Sequence, residues 1–135
     1  MSPLGVAHRA EDANGLDVIY CAGPYSAATP EGVAENVAAA VAFGQKVRAL
    51  GALPVVPHLT VLPADDYEAA MRECFELIRR CDAVILMPTW RQSPGAGREL
   101  DFARSLGLTV FDHLVDLASV YDEQKTMEVG RALAC

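Results

Sequence analysis

The chain has 135 residues, 52% of them hydrophobic and 21% charged, and a formal net charge of -7. That length suits one domain with a real core and excludes a disordered chain. The negative balance argues against gripping a phosphate backbone over a broad surface, although a single pocket can still be locally positive for a small phosphorylated ligand.

No apolar run reaches membrane-spanning length. Residues 1–15, "MSPLGVAHRAEDANG", lack a basic head followed by a long apolar stretch, so they read as a flexible tail rather than a signal peptide. Residues 16–135 then form a single domain of a cytoplasmic protein. The four cysteines, Cys21, Cys74, Cys81 and Cys135, make no CxxC pair and no metal-like cluster with the three histidines. They are expected to be reduced, with Cys21 and Cys81 serving as small apolar fillers. No metal, nicotinamide or flavin cofactor is implied.

The run "LDVIYCAG" (16–23) is β-rich, too short for a helix, and apolar enough to be a strand buried on both faces. After "GPYSAATP" comes a helix with Thr29 as N-cap, Pro30 at its first position and Gly51 at its end. Val33, Val37, Val41, Gly44 and Val47 make its apolar stripe. A second strand, "ALPVVP" (52–57), leads through "HLTVLPADD" into a helix over about 66–80, with Met71, Phe75 and Ile78 on its apolar face and Cys74 alongside. The third strand, "AVILMP" (83–88), has Asp82 at its amino end, in a structural role. It is followed by "TWRQSPGAGRE" and a helix running from Ser93 to Gly107. On that helix Ala96, Leu100, Ala103 and Gly107 share one stripe, and Glu99 lies against it. A fourth strand, "LTVF" (108–111), and a weaker helical pattern over 116–133 close the chain.

This alternation predicts an α/β fold: a doubly wound, flavodoxin- or Rossmann-like parallel sheet of about four strands in the order 2-1-3-4, with helices on both faces. In such folds ligands bind beyond the carboxyl ends of the strands, where the strand order reverses. The loops after strands 1 and 3 should therefore face each other.

Those loops carry most of the unusual residues. Gly23, Pro24, Tyr25 and Ser26 offer close backbone approach, polar contacts and a helix N-terminus that can hold an anion. The stretch is neither a GxGxxG fingerprint nor a Walker motif, and an ordinary strand-to-helix turn is the alternative. Tyr20 either packs within its strand or sends its hydroxyl into the pocket. His58 either meets substrate, as a ligand or proton donor, or makes a loop hydrogen bond. Trp90 either stacks on a nucleobase or covers the core. Ser93 and Pro94 cap a helix whose first turn, Gly95, Ala96 and Gly97, leaves the backbone bare enough for a phosphate to approach its amides. Glu99 is either satisfied structurally, by a backbone amide or by Arg79 or Arg80, or it faces the pocket as nucleophile or general base. A buried carboxylate with no partner is costly, and a carboxylate facing a sugar C1 can form a covalent glycosyl-enzyme.

The segments "VIYCAGPYS", "PVVPHL" and "CDAVILMPTWRQSPGAGRELDFARSLG" resemble the nucleoside 2-deoxyribosyltransferase-like superfamily, and above all its small domains of unassigned function. The resemblance spans residues 16–111. It implies an N-glycosidase or base-exchanging transferase acting on a (deoxy)nucleoside 5′-monophosphate, with Glu99 as the nucleophile at C1′ and Tyr20 beside it. Ser93 stands where the transferases carry an aspartate, and where the nucleotide N-glycosidase branch contacts the 5′-phosphate through a serine. Gly23, Pro24, Tyr25, Ser26, His58, Trp90, Gly95 and Ala96 would complete the substrate site. One departure stands out: the aspartate with which relatives protonate the leaving base falls at or next to Cys74. That leaves the proton donor unassigned and keeps a non-catalytic nucleotide-binding module as the alternative. The resemblance also implies a small nucleotide or nucleoside as ligand, no nucleic acid polymer or membrane, and a homodimer or higher homo-oligomer.

Overall fold

The computed structural model describes residues 3–5, 15–61 and 66–134. Four strands, β1 (Val18–Ala22), β2 (Leu53–Val55), β3 (Ala83–Leu86) and β4 (Thr109–Phe111), alternate with four helices, α1 (Pro30–Ala49), α2 (Tyr67–Arg79), α3 (Pro94–Ser105) and α4 (Leu114–Ala134). All strand pairs are parallel and the order is β2-β1-β3-β4, as the alternation predicts. Most of the tail expected over residues 1–15 lies outside the described residues. Leu4, within the described part, packs against the core.

Strand side chains alternate between faces, and this divides the core into two. Ile19, Cys21, Ala83 and Ile85 point to one side, with Phe43 and Val47 of α1 and Leu117 and Tyr121 of α4. Tyr20, Ala22, Val84 and Leu86 point to the other, with Ile78 of α2 and Leu100 and Ala103 of α3. Each central strand is therefore apolar on both faces, which explains its near-continuous hydrophobic run.

Helix ends follow the residues that cap them. Thr29 Oγ1 accepts from Gly32 N at 3.1 Å, Asp66 Oδ1 from Glu68 N at 3.0 Å and Ser93 Oγ from Ala96 N at 3.1 Å. Gly51 and Gly107, with φ of 109° and 72°, follow α1 and α3 in the left-handed region that closes helices.

Two expectations shift. The second strand shortens to three residues because "PHL" turns into a 3₁₀ helix, Pro57–Leu59. The buried face of α1 is Ala40, Phe43, Gly44 and Val47, whereas Val33, Val37 and Val41 are only half-buried. A helix of this length spans about 30 Å and a five-residue strand roughly 17 Å, so half of α1 overhangs the sheet.

The amino edge is tied by polar residues. Val18 N donates to Asp82 Oδ2 at 2.7 Å, the structural role read for Asp82. The Tyr121 hydroxyl donates to Asp17 Oδ2 at 2.6 Å, and Asp17 is 1% exposed. Cys21 and Cys81 are buried fillers, their thiols pushed up to about 12 by burial. Cys135 lies outside the described residues. Among the described residues no helix is long and apolar enough to cross a membrane.

Candidate functional site

A cavity of about 510 Å³ opens at the carboxyl edge of the sheet. Its wall is built from four pieces of chain. The loop after β1 contributes Gly23, Tyr25 and Ser26; the turn after β2 contributes Pro57, His58 and Val61. Helix α2 contributes Tyr67, Ala70, Met71 and Cys74, and α3 contributes Ser93, Pro94 and Glu99.

Glu99 is 6% exposed and sits on the buried face of α3 with Ala96, Leu100 and Ala103. Its partner comes from the sheet: the Tyr20 hydroxyl donates to Glu99 Oε2. Tyr20 is the middle residue of β1 and points to the α2/α3 side, so strand alternation alone aims its ring at the α3 carboxylate. Burial raises the Glu99 carboxyl to about 7, with the Tyr20 hydrogen bond opposing the rise. Burial and the nearby Glu99 charge push the Tyr20 hydroxyl well above its ordinary range. The arginines considered as partners for Glu99 go elsewhere: Arg79 and Arg80 each pair with Glu76 at 3.3 Å on the surface.

Cys74 reaches the same spot from α2, its thiol beside the Tyr20 hydroxyl and the Glu99 carboxylate. Burial raises that thiol to about 11, so it is protonated at neutral pH.

His58 is 8% exposed, with Nε2 2.9 Å from the Pro24 carbonyl oxygen. A carbonyl only accepts, so Nε2 keeps its proton there and a neutral ring leaves Nδ1 as a bare acceptor. Nδ1 is buried and finds no hydrogen-bond partner among the described residues. Burial also lowers the His58 pKa, which favours that neutral form. The Tyr25 ring lies 5.9 Å away, and Asn36 Nδ2 of α1 donates to the Tyr25 carbonyl at 3.0 Å, anchoring the loop.

Among the residues singled out in the sequence, Gly23, Tyr25, Ser26, His58, Ser93 and Glu99 converge on the cavity, with Tyr20 beneath Glu99. Four do not line it. Pro24 contributes its carbonyl to His58. Trp90 packs half-buried on the α2/α3-side core, with the Arg91 guanidinium 4.9 Å from its ring centre. Ala96 is fully buried, and Gly95 lies against Tyr67, where an added Cβ would come 3.3 Å from the hydroxyl. Two amides of the α3 first turn are already taken: Ala96 N by Ser93 Oγ and Gly97 N by the Ser93 carbonyl. The phosphate cradle at α3 is thus narrower than the glycines suggested. Of the α2 wall, Cys74 was reached through the resemblance, whereas Tyr67, Ala70 and Met71 were missed as a ligand surface. Its signal was a tyrosine directly after the helix cap at the carboxyl edge.

Residues 17–112 match the model of a domain of unknown function, DUF4406. The chain belongs to that family. In this DUF4406 protein the matched region starts at the buried Asp17 and runs one residue past β4, so it contains the whole sheet and every residue of the cavity wall. No curated protein matches the chain. Among solved structures it is similar to a 2-desoxiribosyltransferase from Leishmania mexicana, with 27% identity, 70% of this chain and 61% of that chain covered, and a TM-score of 0.45. The DUF4406 chain thus spans about three-fifths of that protein's length, and at this TM-score the likeness carries no weight for activity.

Proposed function

We propose that this DUF4406 protein cleaves, or exchanges the base of, the N-glycosidic bond of a (deoxy)nucleoside 5′-monophosphate. The observation that carries the reading is a carboxylate buried at a cavity edge with a tyrosine hydroxyl as its partner. A group with no stabilising reason to be buried there suits a nucleophile. Glu99 attacks C1′ and displaces the base, giving a glycosyl-enzyme that water or a second base resolves. Tyr20 orients the attacking oxygen. The Ser93 hydroxyl, which accepts from Ala96 N and keeps its own proton to donate, meets the phosphate together with the Gly95 amide. The sequence resemblance of residues 16–111 supports the same roles.

Incubation with a panel of ribo- and deoxynucleoside monophosphates, followed by chromatography for free base, tests this. Free base from the wild type and none from Glu99→Gln is the expected result; full activity in Glu99→Gln sinks the proposal. Assembly as a homodimer belongs to the same proposal, and a monomer in sedimentation would remove that part.

A second reading, a nucleotide-binding module without chemistry, is favoured by one observation: the Cys74 thiol at the cavity wall is a poor acid for a leaving base. It predicts a thermal shift with nucleotides, no product, and little dependence on the charge of Glu99.

A further inference from the structure

A base leaves C1′ readily only if it is protonated in flight or already carries a positive charge. Resting on glycosidic cleavage at Glu99, we propose that the cavity takes an N-glycoside whose base is already cationic: a pyridinium or N-alkylated purinium nucleotide.

Among the described residues, the ionisable groups of the wall are Tyr25, His58, Tyr67, Cys74 and Glu99. Glu99 is committed to C1′, and the Tyr20 proton beneath it is committed to Glu99. His58 holds its one ring proton on the Pro24 carbonyl and turns only a lone pair elsewhere. Cys74 keeps its proton too tightly, as does any phenol, to match a neutral base at pH 7. No group in this set hands a proton to a departing base.

No lysine or arginine is among the described residues of the wall. The Arg98 guanidinium, 5.5 Å from the Tyr67 ring centre, is held by both oxygens of Glu68, at 2.9 and 3.0 Å. Among the described residues of the wall, an ionised Glu99 is then the charge. Tyr25 adds an aromatic ring to the wall, and such rings attract cations through their quadrupoles. A cationic base gains from both; a neutral base gains from neither electrostatically.

The step balances without an acid. A Glu99 oxygen bonds to C1′ as the C1′–N bond breaks. The bonding pair moves onto the ring nitrogen and cancels its charge, so a neutral base leaves unprotonated. Water then displaces Glu99 from C1′ and releases its proton to solvent.

The experiment compares kcat/KM for nicotinamide mononucleotide and for 7-methylguanosine 5′-monophosphate with that for guanosine 5′-monophosphate, in ribo and 2′-deoxy forms, reading free base by chromatography. The expected result is release from the cationic members at least about a hundredfold faster than from the neutral one, abolished in Glu99→Gln. Cys74→Asp, which supplies an acid at the wall, is expected to narrow the ratio of cationic to neutral release at least about tenfold. Neutral release within tenfold of cationic release in the wild type overturns the inference and leaves glycosidic cleavage standing. Release from none of the probes overturns both. The wild-type ratio decides even if Cys74→Asp does not fold.

Discussion

Burial holds the Glu99 carboxyl near 7 instead of its ordinary 4.5, and the sign of the consequence is definite. The folded protein keeps this proton while the unfolded chain releases it, so the stability present below about 4.5 is lost as pH rises through about 7. The gap corresponds to about 3 kcal/mol. Glu99→Gln lacks the ionisation, so its stability advantage over the wild type should be about 3 kcal/mol larger at pH 8 than at pH 4.5, measured by urea unfolding at both. Turnover has the opposite slope, since a nucleophilic carboxylate must be ionised: the rate should climb as pH rises through about 7. The Tyr20 hydroxyl lowers the Glu99 pKa by donating to it. Tyr20→Phe should therefore move the midpoint of the pH–rate profile upward and cut the rate at pH 7 by about ten- to a hundredfold, the range for losing a hydrogen bond to a charged group. An unchanged midpoint would mean that Tyr20 is only a packing residue. At this scale the position of Glu99 on the edge of its helix stripe was legible, because helical periodicity is local. Its partner Tyr20 was legible only through the family resemblance, because helical periodicity does not say which face of the sheet a strand residue takes.

Elements meet the site through a few close approaches. Gly23 ends β1 where the chain presses on Met87, after β3. A Cβ there would fall 3.0 Å from the Met87 Cβ and closer still to its sulfur. Gly23→Ala should cost about 1–3 kcal/mol by overpacking, seen as a lower urea midpoint with an unchanged slope. At the other end of the strands, Asp82→Ala strips the Val18 amide of its acceptor. A loss of about 1–3 kcal/mol is expected for an amide left unsatisfied, with no effect on turnover of folded protein because the site lies at the opposite edge. The strands, the helix caps at Thr29 and Ser93, and the closing glycines all followed from local patterns. The overhang of α1 did not, since it depends on the length of the strands it covers.

Both core clusters share one four-stranded sheet whose residues alternate between them. Neither face can lose its packing without exposing the strands of the other, so the domain should unfold in one step. Trp90, the single tryptophan, reports the α2/α3 side, whereas far-UV circular dichroism reports all the helices. Their urea transitions should superimpose; separated midpoints would show that the two faces are independent.

Alternating apolar runs and capped amphipathic segments by themselves determined an α/β sheet of order 2-1-3-4 and the edge at which its loops gather. Those are consequences of chain periodicity and of the handedness of crossovers, which every short window of sequence carries. Tertiary structure alone decided which residues face one another across that edge. It turned Trp90 onto the core, spent the His58 proton on a backbone carbonyl, and brought Tyr67 into the wall. Each of these contacts joins elements far apart in the chain, and its geometry is fixed only when the helices dock on the sheet.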